Sequence, residues 1–178
     1  MNANIRDGAA EAFRFGYGEA QIGRVLVASS PKGIVAILLG DDRAKLRAEL
    51  SRYFPEARFV EDETGLSDSI SKVVAFVDDP ARRLDSPLDP RGTELELSVW
   101  EALRAIPVGE TRTYGALAKT LPLTATAQEV GAACAANRIA VAIPCHRVLK
   151  ADGSISGYRW GVWRKRRLLK IEGALEAA

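Results

Sequence analysis

The chain holds only two cysteines and one histidine in 178 residues. So few soft ligands exclude a disulfide framework, and with no CxxC pair they exclude a cysteine-built zinc cluster. A closed four-ligand zinc site would have to be filled by carboxylates, an unusual donor set for structural zinc. No metal and no cofactor are expected. No apolar run nears the roughly 18 residues of a membrane span. The start, "MNANIRDGAAEAF", lacks the basic stretch, apolar middle and small-residue cleavage site of a secretion signal. The expectation is a protein of the reducing cytoplasm with no membrane contact. Aromatic residues are few at 7%, but 47% hydrophobic and 27% charged residues are ordinary for a globular chain. The length suits one domain, or two small ones around a real core.

The net charge of +2 is unevenly spread. From Cys145 onward there are eight basic and three acidic residues, a net of +5, which leaves −3 for the 144 residues before it. A basic end on a mildly acidic body is a footprint for phosphates, and it is equally the solvated face of a helix.

"GRVLVASSPKGIVAILLG" (23–40) reads as two strands of β-branched and aliphatic residues joined at "SPKG". "DDRAKLRAELSRYF" (41–54) reads as a helix with Leu46, Leu50 and Phe54 on one side, closed by Pro55. A second helix is expected over 66–80, ended by Pro80. "ARRLDSPLDPRG" (81–92) is the linker candidate, being polar and rich in proline. The second half is helical. "TELELSVWEALRAI" (93–106) places Leu95, Val99, Leu103 and Ile106 on one face. "TRTYGALAKTL" (111–121) is a short helix with Thr111 or Thr113 as its N-cap, and "AQEVGAACAANR" (127–138) is another. Two short helices across a tight turn suggest a helix-turn-helix, although many helical pairs look alike. The second of them is nearly bald, with Gly131, Ala132, Ala133, Ala135 and Ala136. Such a helix packs closely against a neighbour, or presses its backbone into a narrow groove such as the DNA minor groove.

"IPCHRV" (143–148) joins the only histidine, His146, to Cys145. A thiolate is the nucleophilic form of cysteine, and a nearby cation or imidazole favours it. Neighbours in sequence often point apart, so His146 would reach the sulfur through a water. A base is usually oriented by a third group, and Glu172 is a candidate in an otherwise basic terminal helix. On the residues alone, Glu172 is better read as an ordinary helix-end charge.

With Asn137 eight residues before the cysteine, "IPCHRV" resembles the O6-alkylguanine-DNA alkyltransferases. The likeness extends over "LDPRGTELELSVWEALRAIPVGETRTYGALA" (88–118), "VGAACAANRIAVAIPCHRV" (130–148) and "DGSISGYRWGVWRKRRLLKIEG" (152–173). It is strongest to the C-terminal domain of the bacterial adaptive-response (Ada) protein, and "GRVLVASSPKGIVAILLGDD" (23–42) resembles the subdomain before it. The cysteine-rich zinc domain that precedes this unit in the bifunctional proteins has no counterpart here, so repair of phosphate methyl groups is not expected.

The resemblance implies an α/β N-terminal subdomain over 1–91, a small antiparallel sheet with helices plus the linker. A mostly α C-terminal domain with a winged helix-turn-helix-like DNA-binding motif follows over 92–178. It implies direct, irreversible, single-turnover transfer of an alkyl group from O6 of guanine in double-stranded DNA to Cys145, with O4 of thymine a further candidate. The partner is DNA carrying O6-alkylguanine, met by a monomer. His146 would take the thiol proton through a water, and Glu172 would orient His146. Asn137 would tie the second helix to the cysteine turn, which is compatible with a plain helix cap. Tyr114 would hydrogen-bond the flipped guanine near N3 and press on its phosphate. Val148, Tyr158, Arg159 and Trp160 would form the base pocket, Trp160 narrowing it in favour of methyl groups. Ala127, Gln128, Gly131, Ala132 and Ala135 would meet the minor groove together with Tyr114 and Arg147. The family carries arginine at the position of Gln128, to fill the hole left by the flipped base. Glutamine hydrogen-bonds the orphaned cytosine without the charge, so weaker flipping or affinity is expected.

Two other readings compete. A cysteine hydrolase built on Cys145, His146 and Glu172 would need an oxyanion hole, and no glycine-rich hole is evident. A non-catalytic helix-turn-helix binder would need base-reading side chains that the bald helix lacks. The lesion-binding relatives that do not repair replace the nucleophile, whereas Cys145 is present.

Overall fold

Turn chemistry sets the first half. Pro31 and Lys32 join β2 (Gly23–Ser30) to β3 (Gly33–Gly40), the two strands expected over 23–40. In this computed structural model, which describes residues 11–175, a further strand β1 (Ala12–Ala20) pairs antiparallel with β2. Most of the N-terminal stretch read for a leader, and the last three residues of the closing "GALEAA", lie outside the described residues.

β1 has no counterpart in the sequence expectation. Its alternation of Phe13, Phe15 and Tyr17 is diluted by Gly16 and Gly18. Those glycines are contact points. A Cβ at Gly16 would lie 2.8 Å from Ile70 Cδ1, and one at Gly18 would lie 2.6 Å from Val74 Cγ2. Helix α2 (Ser67–Asp78) therefore lies directly on the strand, burying Ile70, Val73, Phe76 and Val77. Helix α1 (Arg43–Tyr53), N-capped by Asp42, packs on β3 through Leu46 and Leu50. It leads to a fourth, short strand, β4 (Arg58–Glu61), which runs parallel to β1. The sheet order is β3-β2-β1-β4. Three strands are antiparallel as expected, and the crossover through α1 makes the fourth parallel, so the sheet is mixed.

The exposed edge of β3 is covered twice. The proline-rich strap over 81–92 bonds it at one end, Ile34 N–H donating to Pro87 O (2.9 Å) and Asp89 N–H to Ile34 O (2.8 Å). A Cβ on Gly33 would meet Pro87 O at 2.5 Å, so the strap needs glycine there. Further along, Ile37 N–H donates to Arg138 O and Ala140 N–H to Ile37 O, each at 2.9 Å. The segment that leads into "IPCHRV" is thus an added rung on the sheet.

The second half holds α3 (Glu94–Arg104), α4 (Tyr114–Thr120) and α5 (Ala127–Ala135). Thr93 with Glu96, and Thr126 with Glu129, form capping boxes at α3 and α5, and Thr113 rather than Thr111 caps α4. Val99, Leu103 and Ile106 are buried as their spacing predicts. Trp100 Nε1–H donates to Ala133 O (2.9 Å), fixing α5 against α3. A short parallel pair, β5 (Arg112–Thr113) with β6 (Val148–Leu149), joins the entrance of α4 to the exit of the cysteine turn. The chain closes with α6 (Val162–Ile171), whose Arg164 donates to Ile22 O (2.7 Å) and Asp41 Oδ1 (2.9 Å) in the first half. One hydrophobic core runs through both halves. No described helix is long and apolar enough to cross a membrane.

Candidate active site

After α5 the chain cannot continue as a helix, because Asn137 turns its side chain back on the loop that follows. Its Oδ1 accepts from Ile139 N–H (2.9 Å), and its Nδ2 donates to Ile143 O (2.8 Å) and to Cys145 Sγ (3.3 Å). One buried amide therefore ties the end of α5 to the thiol. Within this loop Val141 sits at φ 67°, a strained setting for a β-branched residue. Cys145 then opens a 3₁₀ turn, Cys145–Arg147.

Cys145 is 6% exposed. Burial pushes its thiol pKa up, and the Asn137 amide and the Lys165 charge pull against that without cancelling it. The resting group is a thiol that needs a base. His146, fully buried, points away from the solvent, its Nε2 2.7 Å from Glu172 Oε1. Burial holds the imidazole pKa below its ordinary value, while Glu172 pulls it up. Burial raises Glu172 as well, but its bonds to His146 and Arg147 outweigh this and leave its pKa below the ordinary carboxylate value. A carboxylate only accepts, so the neutral ring carries its proton on Nε2 and keeps a free lone pair on Nδ1. That Nδ1 has no protein partner among the described residues. A neutral ring held this way by a carboxylate has the lone pair and orientation that a base needs.

Arg147 corrects an expectation. It was placed at the DNA surface, but it is 6% exposed and forks onto Glu172, with Nε to Oε2 at 3.0 Å and Nη2 to Oε1 at 2.9 Å. Its Nη1 donates to Ile106 O (2.7 Å). Buried and bonded inside through Nε and both Nη atoms, Arg147 is turned away from a phosphate; it balances the charge of the carboxylate behind His146.

In front of the thiol lies a pocket of about 320 Å³. Tyr114, at the first position of α4, forms one wall and Tyr158 with Arg159 another. Gly131 and Ala135 of α5 line its rim, and Cys134 and Gly157 complete it. Tyr158 stacks edge-on against Trp160 (5.3 Å between centroids, 73°). Trp160 is 4% exposed and does not itself line the pocket; it backs Tyr158, so its expected narrowing of the pocket can only be indirect. Val148 is likewise absent from the lining and buried in β6. The guanidinium of Arg159 lies 4.7 Å above the Tyr53 ring of α1, which brings the first half to the pocket mouth.

The bald helix divides cleanly. Val130, Ala133 and Cys134 face the core, while Ala127, Gln128, Ala132 and Ala135 are exposed. Close packing against a neighbour explains the first set and not the second. The exposed set forms a smooth surface beside the pocket mouth.

The sequence reading passed over Cys134, Ser156 and Lys165. Lys165 is 1% exposed and donates to Val148 O (2.7 Å) and Ser156 Oγ (2.9 Å), and Ser156 Oγ lies 2.5 Å from Tyr114 Oη. A signal existed: Lys165 shares the buried stripe of α6 with Leu168 and Leu169, at helical spacing.

Residues 94–174 match the model of the 6-O-methylguanine DNA methyltransferase DNA-binding domain. The methylated-DNA–protein-cysteine methyltransferase of Methanosarcina acetivorans is 36% identical over 156 residues, covering 88% of this chain and 96% of that protein. The chain belongs to the 6-O-methylguanine DNA methyltransferase family. The bifunctional transcriptional activator/DNA repair enzyme Ada of Escherichia coli is 45% identical over 165 residues, which span 93% of this chain but 47% of that protein. This chain thus matches about half the length of such bifunctional family members. Among solved structures, Mycobacterium tuberculosis OGT in complex with DNA superposes with a TM-score of 0.74 at 30% identity, over 90% of this chain and 92% of that one. The mixed sheet followed by a helical DNA-binding half is therefore the family's fold.

Proposed function

We propose that this chain repairs double-stranded DNA by moving an alkyl group from O6 of guanine onto Cys145. The observation that carries the reading is the pocket: a thiol in its lining, held by Asn137 and followed in the same turn by a carboxylate-oriented imidazole. The names of the related methyltransferases support the same chemistry. The base leaves the helix stack and enters between Tyr114 and Tyr158. His146 takes the thiol proton through a bridging water at Nδ1, and Glu172, neutralised by Arg147, stabilises the imidazolium that results. Sulfur attacks the alkyl carbon, the C–O6 bond breaks, and its electron pair leaves with guanine, which takes a proton from water on release. The thioether offers no carbonyl for hydrolysis, so each chain acts once and needs no cofactor.

The smooth face of α5 lies in the minor groove, with Gln128 at the gap left by the flipped base. O4 of thymine presents the same alkyl–oxygen bond and is a second substrate. The C-terminal domain over 92–178 carries the DNA contacts and the transfer, while β3 of the N-terminal subdomain holds the cysteine loop in place. The protein works as a monomer in the reducing cytoplasm, where a free thiol persists.

The test is a transfer assay with duplex DNA carrying one O6-methylguanine. Titrated protein should clear the methyl group from DNA up to one equivalent and then stop, and Cys145→Ala should clear none. Continued clearance at substoichiometric protein would establish turnover and favour a hydrolase.

A further inference from the structure

The pocket tyrosine is held by a chain of hydrogen bonds that begins at a buried lysine. Lys165 only donates, and Ser156 Oγ accepts from it at 2.9 Å. As an ammonium it has a proton for each of Val148 O and Ser156 Oγ and no lone pair with which to accept from the serine. The Ser156 hydroxyl must place its own proton elsewhere. Its one other partner among the described hydrogen bonds is Tyr114 Oη, at 2.5 Å. If Ser156 donates to that oxygen, the Tyr114 proton is turned off the chain and is free to point into the pocket, which Tyr114 lines.

We infer that Lys165 and Ser156 are positioning residues that fix the Tyr114 hydroxyl as a donor aimed at the departing guanine. The inference rests on the alkyl-transfer reading above and adds the reason why Tyr114 donates rather than accepts. As sulfur bonds to the alkyl carbon and the C–O6 bond breaks, the electron pair moves onto the purine. A donor already aimed at the ring meets that charge without reorganising. The run Lys165 to Ser156 to Tyr114 polarises each bond in the same sense, strengthening the last one. No proton has to travel along it. The Lys165 charge also pulls the Cys145 thiol pKa down. Replacing Lys165 would therefore disturb nucleophile and donor together. Ser156, half-buried on a loop, is the clean place to cut.

The experiment is a single-turnover cycle on O6-methylguanine duplex with wild type, Ser156→Ala, Tyr114→Phe and the double variant. DNA affinity and thermal midpoint are measured alongside. Ser156→Ala should transfer about tenfold more slowly, with unchanged affinity and midpoint, and Ser156→Thr should restore most of the rate. In the Tyr114→Phe background the serine change should alter the rate by less than about twofold, because both act through one hydroxyl. A full rate in Ser156→Ala, or an effect that persists undiminished without the tyrosine hydroxyl, overturns the relay while leaving alkyl transfer intact. If wild type itself moves no methyl group, the function falls, and this inference with it.

Discussion

His146 is the only histidine, so stability lost just below neutral pH can be traced to one ring. Burial keeps its folded pKa below the ordinary value, and the unfolded chain therefore binds, near pH 6.5, a proton that the folded chain refuses. Stability is complete above that pH and falls as pH drops below it. Glu172, whose folded pKa is lowered, contributes down to the carboxylate range, so the first loss belongs to His146. Urea midpoints of the wild type should decline between about pH 7 and pH 5, and those of His146→Gln should stay flat there. Parallel declines would assign the proton to another group. At this scale Cys145 and His146 stood out in the residues, a lone histidine beside a cysteine, whereas the place of Asn137 came only with the family resemblance. Arg147 and Lys165 were not legible, because the partner of a long cation depends on what the fold brings within reach. For these two the partners are Glu172 and the Val148 carbonyl, 25 and 17 residues away in sequence.

The elements were mostly legible from period and caps, and α5 shows both the power and the reach of that reading. Its poverty of side chains marks it as a close-approach surface, yet only the fold separates the buried Val130, Ala133 and Cys134 from the exposed Ala127, Ala132 and Ala135. Ala132→Glu should leave the thermal midpoint within a degree or two, since it changes an exposed helical position. It should weaken DNA binding about tenfold or more, by bulk and by repulsion from phosphate. Gln128→Arg should tighten binding and speed transfer. Unchanged affinity in both variants, measured by fluorescence anisotropy, would remove α5 from the interface. β1 escaped the reading for a physical reason: the glycines that let α2 lie on it also erased its alternation.

Across the whole molecule, the sheet and the nucleophile are one unit. The rung between β3 and residues 138–140 carries the cysteine loop on the edge of the first half, and no local pattern in either segment announces it. Amide exchange reads this directly. Ala140 N–H, bonded to Ile37 O at 2.9 Å, should be protected to the level of β2 and β3 amides, whereas rapid exchange would detach the loop from the sheet. The central claim concerns which thiol receives the alkyl group, for Cys134 and Cys145 line the same pocket. Burial raises both thiols, but Asn137 Nδ2–H donates to the Cys145 sulfur, while no described hydrogen bond reaches the sulfur of Cys134. The deciding measurement is a peptide map of the protein after saturation with O6-methylguanine duplex. One methyl group per chain, all of it on Cys145, is the predicted result; a methyl group on Cys134, or none on either sulfur while the lesion disappears, would contradict it.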